Sequence, residues 1–201
     1  TLSNTKGAQI NAEGSETDPI NFTSNKAVKK AGDWGGIVIL GDAPINKFGN
    51  YSSVNFDLDP SLTTYGGLNP ASSSGVLKFV RIEYAGKKER GSSESFNALL
   101  LGGIGNKTIL ENIMVSYALG DSFEVLGGEP VMTKMVSYKS SGIDFKFTLG
   151  AQAKIDKKLL SDEQIELVGK ELADLEKRIQ DFQQSYEEKI GKKRDVLYTP
   201  I

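Results

Sequence analysis

The apolar residues in the first three quarters of the chain form short runs, each about as long as a β-strand. Three of these runs end at glycine and repeat at roughly 24 residues: 95–102, 122–127 and 144–150. A second kind of run alternates with them and places a β-branched residue two positions before a tyrosine: 80–84, 113–117 and 135–138. Residues two apart in a strand lie on one face. A strand pattern with this period predicts a solenoid in which each turn stacks on the last.

Glycine-rich and serine-rich corners bound these runs, as the corners of a parallel β-helix require. Upstream, residues 9–14, 20–23 and 36–41 read as earlier strands of the same kind. We therefore predict a parallel β-helix over residues 1–155. Residues 47–74 depart from the pattern, because serine, asparagine, glycine and proline dominate there. This segment is predicted to be a long loop that either covers part of a sheet or presents contacts to a partner.

The pattern changes between Ile155 and Asp156, where glycine becomes rare and apolar residues recur three and four positions apart. This spacing is that of a coiled-coil seam. The sequence around Ser161 supplies a helix start. The unit 156–201 is therefore predicted to be coiled-coil-like, with one long amphipathic helix from about residue 162 to near residue 194. Such a helix cannot bury its seam alone, and it needs a partner helix, a neighbouring chain or the flank of the β-helix. The predicted partner-binding residues are Ile165, Val168, Leu172, Leu175, Ile179, Phe182 and Tyr186.

Composition excludes several functions. The formal net charge of -2 leaves no basic excess for a nucleic-acid backbone. The chain contains no cysteine and no histidine, which excludes thiolate or imidazole zinc sites, cysteine nucleophiles and histidine triads within it. No apolar run approaches the roughly 20 residues that span a bilayer, so we predict no transmembrane segment. No cofactor or metal is predicted.

Few residues suggest chemistry. One interpretation places Asp121, Glu124 and Asp144 together on one face of the solenoid, like the acidic clusters of calcium-dependent β-helices that cleave polysaccharides. The favoured interpretation is that corner aspartates cap turns. The glycine-rich segment 102–108 lacks the spacing of a phosphate-binding loop and is predicted to be a turn. Trp34 either anchors the core, which we favour, or stacks on a sugar.

Several separated motifs carry a family resemblance: Asn-Ala-Glu-Gly at 11–14, Pro-Ile-Asn-Phe-Thr-Ser at 19–24, Gly-Asp-Trp-Gly-Gly-Ile-Val-Ile-Leu-Gly-Asp-Ala-Pro-Ile-Asn at 32–46, and the segments 80–86 and 121–128. Through these motifs, residues 5–155 resemble a family of secreted or surface lipoproteins of Bacteroidota-type bacteria. The resemblance implies a right-handed parallel β-helix, in the cell envelope or outside the cell. It implies little chemistry.

The tail shows a second resemblance. Residues 175–184, with Lys-Lys-Arg-Asp-Val-Leu at 192–197 and the closing Pro-Ile, are similar to the Skp/OmpH family of periplasmic chaperones. In that family a trimer carries helical-hairpin arms that enclose unfolded outer-membrane proteins. The resemblance implies that residues 156–201 correspond to the returning helix of such an arm.

Three functions follow as hypotheses. We favour a non-enzymatic binding or adhesion scaffold at the bacterial cell envelope or surface, with a protein or a glycan as its partner. The alternatives are a periplasmic holdase of the Skp type and a polysaccharide-acting enzyme that uses Asp121, Glu124 and Asp144. Each predicts an extracytoplasmic location. Both resemblances start or stop at the 155/156 junction. A further hypothesis is therefore that the chain is a chimera or a joined pair of fragments, and the alternative is a natural fusion.

Overall fold

A computed structural model describes residues 1–54, 60–87 and 96–156 and residue 177. The strands in chain order are β1 (Leu2–Asn4), β2 (Ile10–Glu13), β3 (Ile20–Phe22), β4 (Ile37–Leu40), β5 (Ser52–Ser53), β6 (Thr64–Tyr65), β7 (Gly75–Glu83), β8 (Leu99–Ile104), β9 (Ile109–Ser116), β10 (Phe123–Gly128), β11 (Val131–Tyr138), β12 (Phe145–Thr148) and β13 (Lys154–Asp156). All of them belong to the first of the two units into which the chain divides, Thr1–Leu160. Helical structure in the ranges 1–54, 60–87 and 96–156 is limited to the 3-10 turn Phe48–Asn50 and the short helix α1 (Pro60–Thr63).

The strands form two parallel sheets and one small antiparallel pair. The first sheet has the order β1-β4-β8-β10-β12, and the second has the order β13-β11-β9-β7-β2, with β3 also paired to β7. The small pair is β5 with β6. Each strand of the first sheet is followed along the chain by strands of the second sheet, and neighbours in both sheets are parallel. The chain therefore winds in coils, which confirms the predicted parallel β-helix. Its handedness stays a prediction.

The long strands of the second sheet bend at the same position in consecutive coils. Phe79, Asn112 and Lys134 have φ values of 49°, 54° and 55°. The residues on either side of each are paired across the sheet, so the three residues share one register position. A left-handed residue inside a strand turns the chain sharply. The first coil has no such residue and instead connects β2 and β3 through residues 14–19, while both strands pair with β7.

The interior is filled by side chains that stack in rows along the solenoid axis. In the first sheet, residues Ile37, Leu99, Phe123 and Phe145 are aligned by strand pairing, and the first three are fully buried. The rings of Phe123 and Phe145 stack with centroids 4.8 Å apart and planes 11° apart. Each buried side chain of this size stabilises the fold by about 1.5–3 kcal/mol. Each coil therefore buries its apolar face against the next.

A second apolar cluster lies on the outer face of the first sheet. Val38 and Leu100 occupy the strand positions that alternate with the inward ones, yet both are buried. They pack with residues of the long connection between β4 and β7, including Val54 and Tyr65. Gly102 makes room for this connection, because a Cβ atom there would lie 2.8 Å from the Cγ of Tyr65. The described part of the predicted loop 47–74 therefore covers the sheet.

The predicted fold class is wrong in its second element. It combined a parallel β-helix with one long amphipathic helix, whereas the structure is mainly β with parallel sheets, and no long helix occurs in the ranges 1–54, 60–87 and 96–156. Apolar spacing of three and four shows only that a helix would be amphipathic. It does not supply the partner surface from which most helix stability comes. The seven predicted seam residues, from Ile165 to Tyr186, lie outside the described residues.

Candidate functional site

Glu124 lies on the outer face of β10 and is only 8% exposed. Its carboxylate accepts a hydrogen bond from the Asn97 amide and pairs with the Lys146 ammonium at 2.8 Å. Strand pairing explains this contact, because Glu124 and Lys146 occupy neighbouring positions of β10 and β12. A buried carboxylate needs such partners, since an unpaired charge is costly to bury.

Asp121 completes the same group, which we call the Glu124 cluster: Asn97, Asp121, Glu124 and Lys146. The Asp121 carboxylate accepts a hydrogen bond from the Ile143 amide at 2.9 Å and lies 3.5 Å from the Lys146 ammonium. The hydrogen bond to Glu124 raises the pKa of the Lys146 ammonium against the effect of burial. The cation therefore stays charged and is shared by two carboxylates.

Asp144 does not join this cluster. Its carboxylate accepts a hydrogen bond from the Ser137 hydroxyl, which also pairs with the Ser122 hydroxyl at 2.7 Å. Both serines are fully buried. The structure thus divides the three predicted acidic residues between an outer cluster and a buried polar contact. Within the part of the chain that the structure describes, no group of three or more acidic side chains is placed to hold a metal ion.

The covering loop places a phenol beside the cluster. Tyr65 is 2% exposed. Burial raises the pKa of its phenol, and the negative charge of Glu124 adds to this shift, while a hydrogen bond with Ser52 opposes it. The Ser52 hydroxyl also accepts a hydrogen bond from the Lys47 ammonium at 2.8 Å. The phenol therefore stays neutral at neutral pH and lies buried between the covering connection and the first sheet.

A row of tyrosines forms a second surface feature, which we call the tyrosine ladder: Tyr84, Tyr117 and Tyr138. The rings of Tyr84 and Tyr117 stack at 5.2 Å with planes 7° apart, and Tyr138 meets Tyr117 edge-on at 5.7 Å. The ammonium groups of Lys29 and Lys139 lie 5.9 and 5.0 Å from the ring centroids of Tyr84 and Tyr138. The sequence showed the recurring tyrosine but not that the side chains meet. Tyr117 remains 37% exposed.

The corner before β4 is organised by Asp33. Its carboxylate accepts hydrogen bonds from the Lys26 ammonium and the Ser24 hydroxyl, each at 2.7 Å, and from the Lys30 amide at 3.0 Å. These bonds, that of Lys26 first, hold the pKa of the Asp33 carboxyl well below its usual range. The next residue, Trp34, packs against the core and donates its indole N–H to the Glu83 carbonyl at 2.7 Å. Trp34 is a core anchor, as the favoured interpretation predicted.

The predicted turn occupies the second part of the glycine-rich segment 102–108, at residues 105–108, whereas residues 102–104 belong to β8. It joins β8 to β9, and the Thr108 hydroxyl accepts a hydrogen bond from the Ser74 amide at 2.9 Å. The amide of Asn106 donates to the Pro70 carbonyl at 2.8 Å. Because these groups bond to the neighbouring connection, they do not form a cradle of free amides such as a phosphate group needs.

Two parallel sheets wound in coils define the protein as a parallel β-helix. Comparison with known families makes this specific, because residues 2–186 match the model described as the pectate-lyase-like beta helix domain. The chain therefore belongs to this family. No curated protein and no solved structure matches it.

The family match bears on the two resemblances seen in the sequence. It runs across the 155/156 junction without interruption. The comparisons give no support to a relationship with Bacteroidota-type lipoproteins or with the Skp/OmpH chaperones, nor to a chimera. Within the ranges 1–54, 60–87 and 96–156, no helix has the length and apolar character that crossing a bilayer requires.

Proposed function

We propose that this protein is a non-enzymatic, extracytoplasmic β-helix module that binds polysaccharide at the bacterial cell envelope through the tyrosine ladder. The observation that carries the proposal is the partial exposure of Tyr117 between two other tyrosines of consecutive coils. Aromatic side chains with a polar tip are typical of binding surfaces. Their rings offer apolar contact to the C–H faces of sugars, and their hydroxyl groups offer hydrogen bonds.

The repeat of the solenoid supports an extended ligand. Tyr84 and Tyr117 occupy equivalent positions, because the residues before them, Glu83 and Ser116, are paired in β7 and β9. Side chains repeated from coil to coil lie along the axis at the spacing of adjacent strands, about 4.8 Å. A repeating polymer laid along this axis would present similar groups to successive coils, whereas a compact ligand would use only one. The family resemblance to polysaccharide-acting β-helices supports the choice of glycan over protein.

The acidic residues support binding rather than cleavage. An acid and base pair needs one carboxyl group able to give a proton and one free to accept it. In the Glu124 cluster both carboxylates are engaged by Lys146, and Asp144 is engaged by Ser137. Releasing either carboxylate of the cluster would require breaking its ion pair with Lys146.

The test is polysaccharide binding by affinity electrophoresis or a glycan panel, with Tyr117→Ala as the variant. We expect binding by the parent protein and a loss of at least about fivefold in the variant, since a central interface aromatic carries much of the binding energy. Tyr51→Ala is the matched control, because Tyr51 is 61% exposed and lies in the covering loop. Equal binding by the parent and Tyr117→Ala would contradict the proposal.

The enzyme alternative is tested on the same polysaccharides by measuring new reducing ends and unsaturated products. The proposal predicts that the parent protein releases neither. Cleavage by the parent that Glu124→Gln abolishes would replace the proposed function with an enzymatic one.

A further inference from the structure

A surface cavity of about 260 Å³ lies on the outer side of the second sheet, beside the bend. Two rows of side chains line it, each with one residue from β7, β9 and β11: Phe79, Asn112 and Lys134 in the bend, and Arg81, Met114 and Val136 just after it. Glu16 and Pro19, from the connection between β2 and β3, line it as well. We call this cavity the bend pocket. It lies on different strands from the Glu124 cluster.

The bend pocket has an apolar body. Phe79, Pro19, Met114 and Val136 all line it. Apolar lining with a few polar groups is typical of small-molecule sites. A polysaccharide is covered with hydroxyl groups, so this largely apolar cavity suits a different ligand.

Phe79 is an unexpected residue at the bend. The bend requires a left-handed φ, which Asn112 adopts readily because its short side chain can bond locally. For a bulky residue such as phenylalanine, a φ of 49° is an outlier that carries a strain cost. The Lys78 ammonium lies 5.9 Å from the ring centroid and also pairs with Glu111 of the neighbouring strand at 3.0 Å. A strained aromatic residue that lines a cavity points to a role for its ring.

The charges in the bend pocket are unbalanced. Arg81 and Lys134 contribute two positive charges, and Glu16 contributes one negative charge. Neither Arg81 nor Lys134 forms an ion pair with any residue that the structure describes. Lys78, one residue before the bend, is by contrast paired with Glu111. Two cations that have no ion-pair partner among the described residues and lie beside an apolar cavity favour an anionic group on the ligand. A guanidinium binds a carboxylate through two parallel hydrogen bonds.

We infer that the bend pocket binds a small amphipathic anion of about a dozen non-hydrogen atoms, which has an apolar body and a single carboxylate. The apolar body lies against Phe79 and Met114, and the carboxylate lies between Arg81 and Lys134. This site is independent of the tyrosine ladder and of polysaccharide binding. It adds recognition of a small molecule to the second sheet.

The probe is 3-phenylpropanoate, and its neutral comparison is 3-phenylpropanamide, both titrated into the full chain by calorimetry and by nuclear magnetic resonance. We expect saturable binding of the acid with a dissociation constant in the millimolar range or tighter. The amide should bind at least about tenfold more weakly, because it lacks the charge that Arg81 and Lys134 attract.

Three variants and one control complete the test. Arg81→Gln and Lys134→Gln should each weaken binding of the acid by about fivefold or more. Lys107→Gln removes the same charge from the exposed turn between β8 and β9 and should leave binding unchanged. Phe79→Asn should abolish binding of the acid while keeping or raising the melting temperature, because asparagine tolerates the left-handed bend. No saturable binding, equal binding of acid and amide, or an equal loss in Lys107→Gln would each overturn the inference.

Discussion

Replacing Phe123 with alanine tests whether the coils share one continuous interior. The side chain is fully buried, and its ring stacks on Phe145 with centroids 4.8 Å apart. Removing a buried phenylalanine ring costs about 3–5 kcal/mol, of which roughly 0.5–1.5 kcal/mol comes from the aromatic pair. Phe147→Ala is the matched control. It makes the same change in the same sheet, but Phe147 is 39% exposed, so its loss should be about 1–2 kcal/mol.

Urea denaturation measures both losses, followed by the fluorescence of Trp34 and by far-ultraviolet circular dichroism. Trp34 is the only tryptophan and packs against the same core. The two signals should report one transition if the coils unfold together. A loss below about 1 kcal/mol for Phe123→Ala, or one no larger than that of the control, would refute the idea of a shared interior. A double-mutant cycle of Phe123→Leu with Phe145→Leu should show a coupling of about 0.5–1.5 kcal/mol.

Three further predictions concern stability. Asp33→Asn should lower the melting temperature most at neutral pH. The folded-state pKa of Asp33 is depressed. Its contribution to stability is therefore present above the unfolded pKa of about 3.9 and disappears as the pH falls below it. A difference in melting temperature between variant and parent that grows below pH 4 would contradict this. Lys146→Met should lower the free energy of unfolding, measured with urea at pH 7, by about 1–2 kcal/mol, since it leaves the carboxylate of Glu124 with one partner fewer. Adding Glu124→Gln to this variant should recover part of the loss. Gly102→Ala should cost about 1–3 kcal/mol, because the new Cβ atom meets the Tyr65 ring; an unchanged midpoint would mean that the ring moves freely.

The sequence was sufficient to predict the strands and their repeat, because glycine corners and apolar runs are local signals. The paired positions of Phe123 and Phe145 follow from aligning 122–127 with 144–150. The preceding strand aligns differently. Phe123 pairs with Leu99 rather than Phe96, and Gly102 lies opposite Leu126 rather than Gly127. Gly102 does not end its strand, since β8 continues to Ile104. A glycine is needed there because the Tyr65 ring, from a connection distant in sequence, packs against it.

The tyrosine repeat contains a similar one-residue error. Tyr138 pairs with Ser116, and Ser137 takes the position of Val115. Apolar alternation alone would place Val136 at that buried position. Ser137 is tolerated inside because its hydroxyl bonds to Ser122 and Asp144, and such partners cannot be seen in a strand's own sequence. One-residue shifts of this kind decide which side chains meet.

The candidate sites were only partly predictable for the same reason. The sequence identified Asp121 and Glu124 as close to one another but included Asp144, which the fold directs to a buried serine pair. It did not single out Asn97 and Lys146, which neutralise the cluster from neighbouring coils. Nor did it indicate the bend pocket, because a bend with φ near 50° appears in the sequence only as an unremarkable Phe, Asn or Lys. Contacts between coils depend on register, and register depends on the whole interior.

The long connection between β4 and β7 shows how the corners of this fold tolerate change. The pairing of β4 with β8 continues from Ile37 to Leu40 without a shift, although more than thirty residues separate β4 from the next strand of the second sheet. An insertion at a corner therefore leaves the stacking of coils intact. Once its side chains cover Val38 and Leu100, however, the connection can no longer be removed without exposing an apolar sheet face. A segment that the winding of the chain does not need has become one that the solubility of the protein requires.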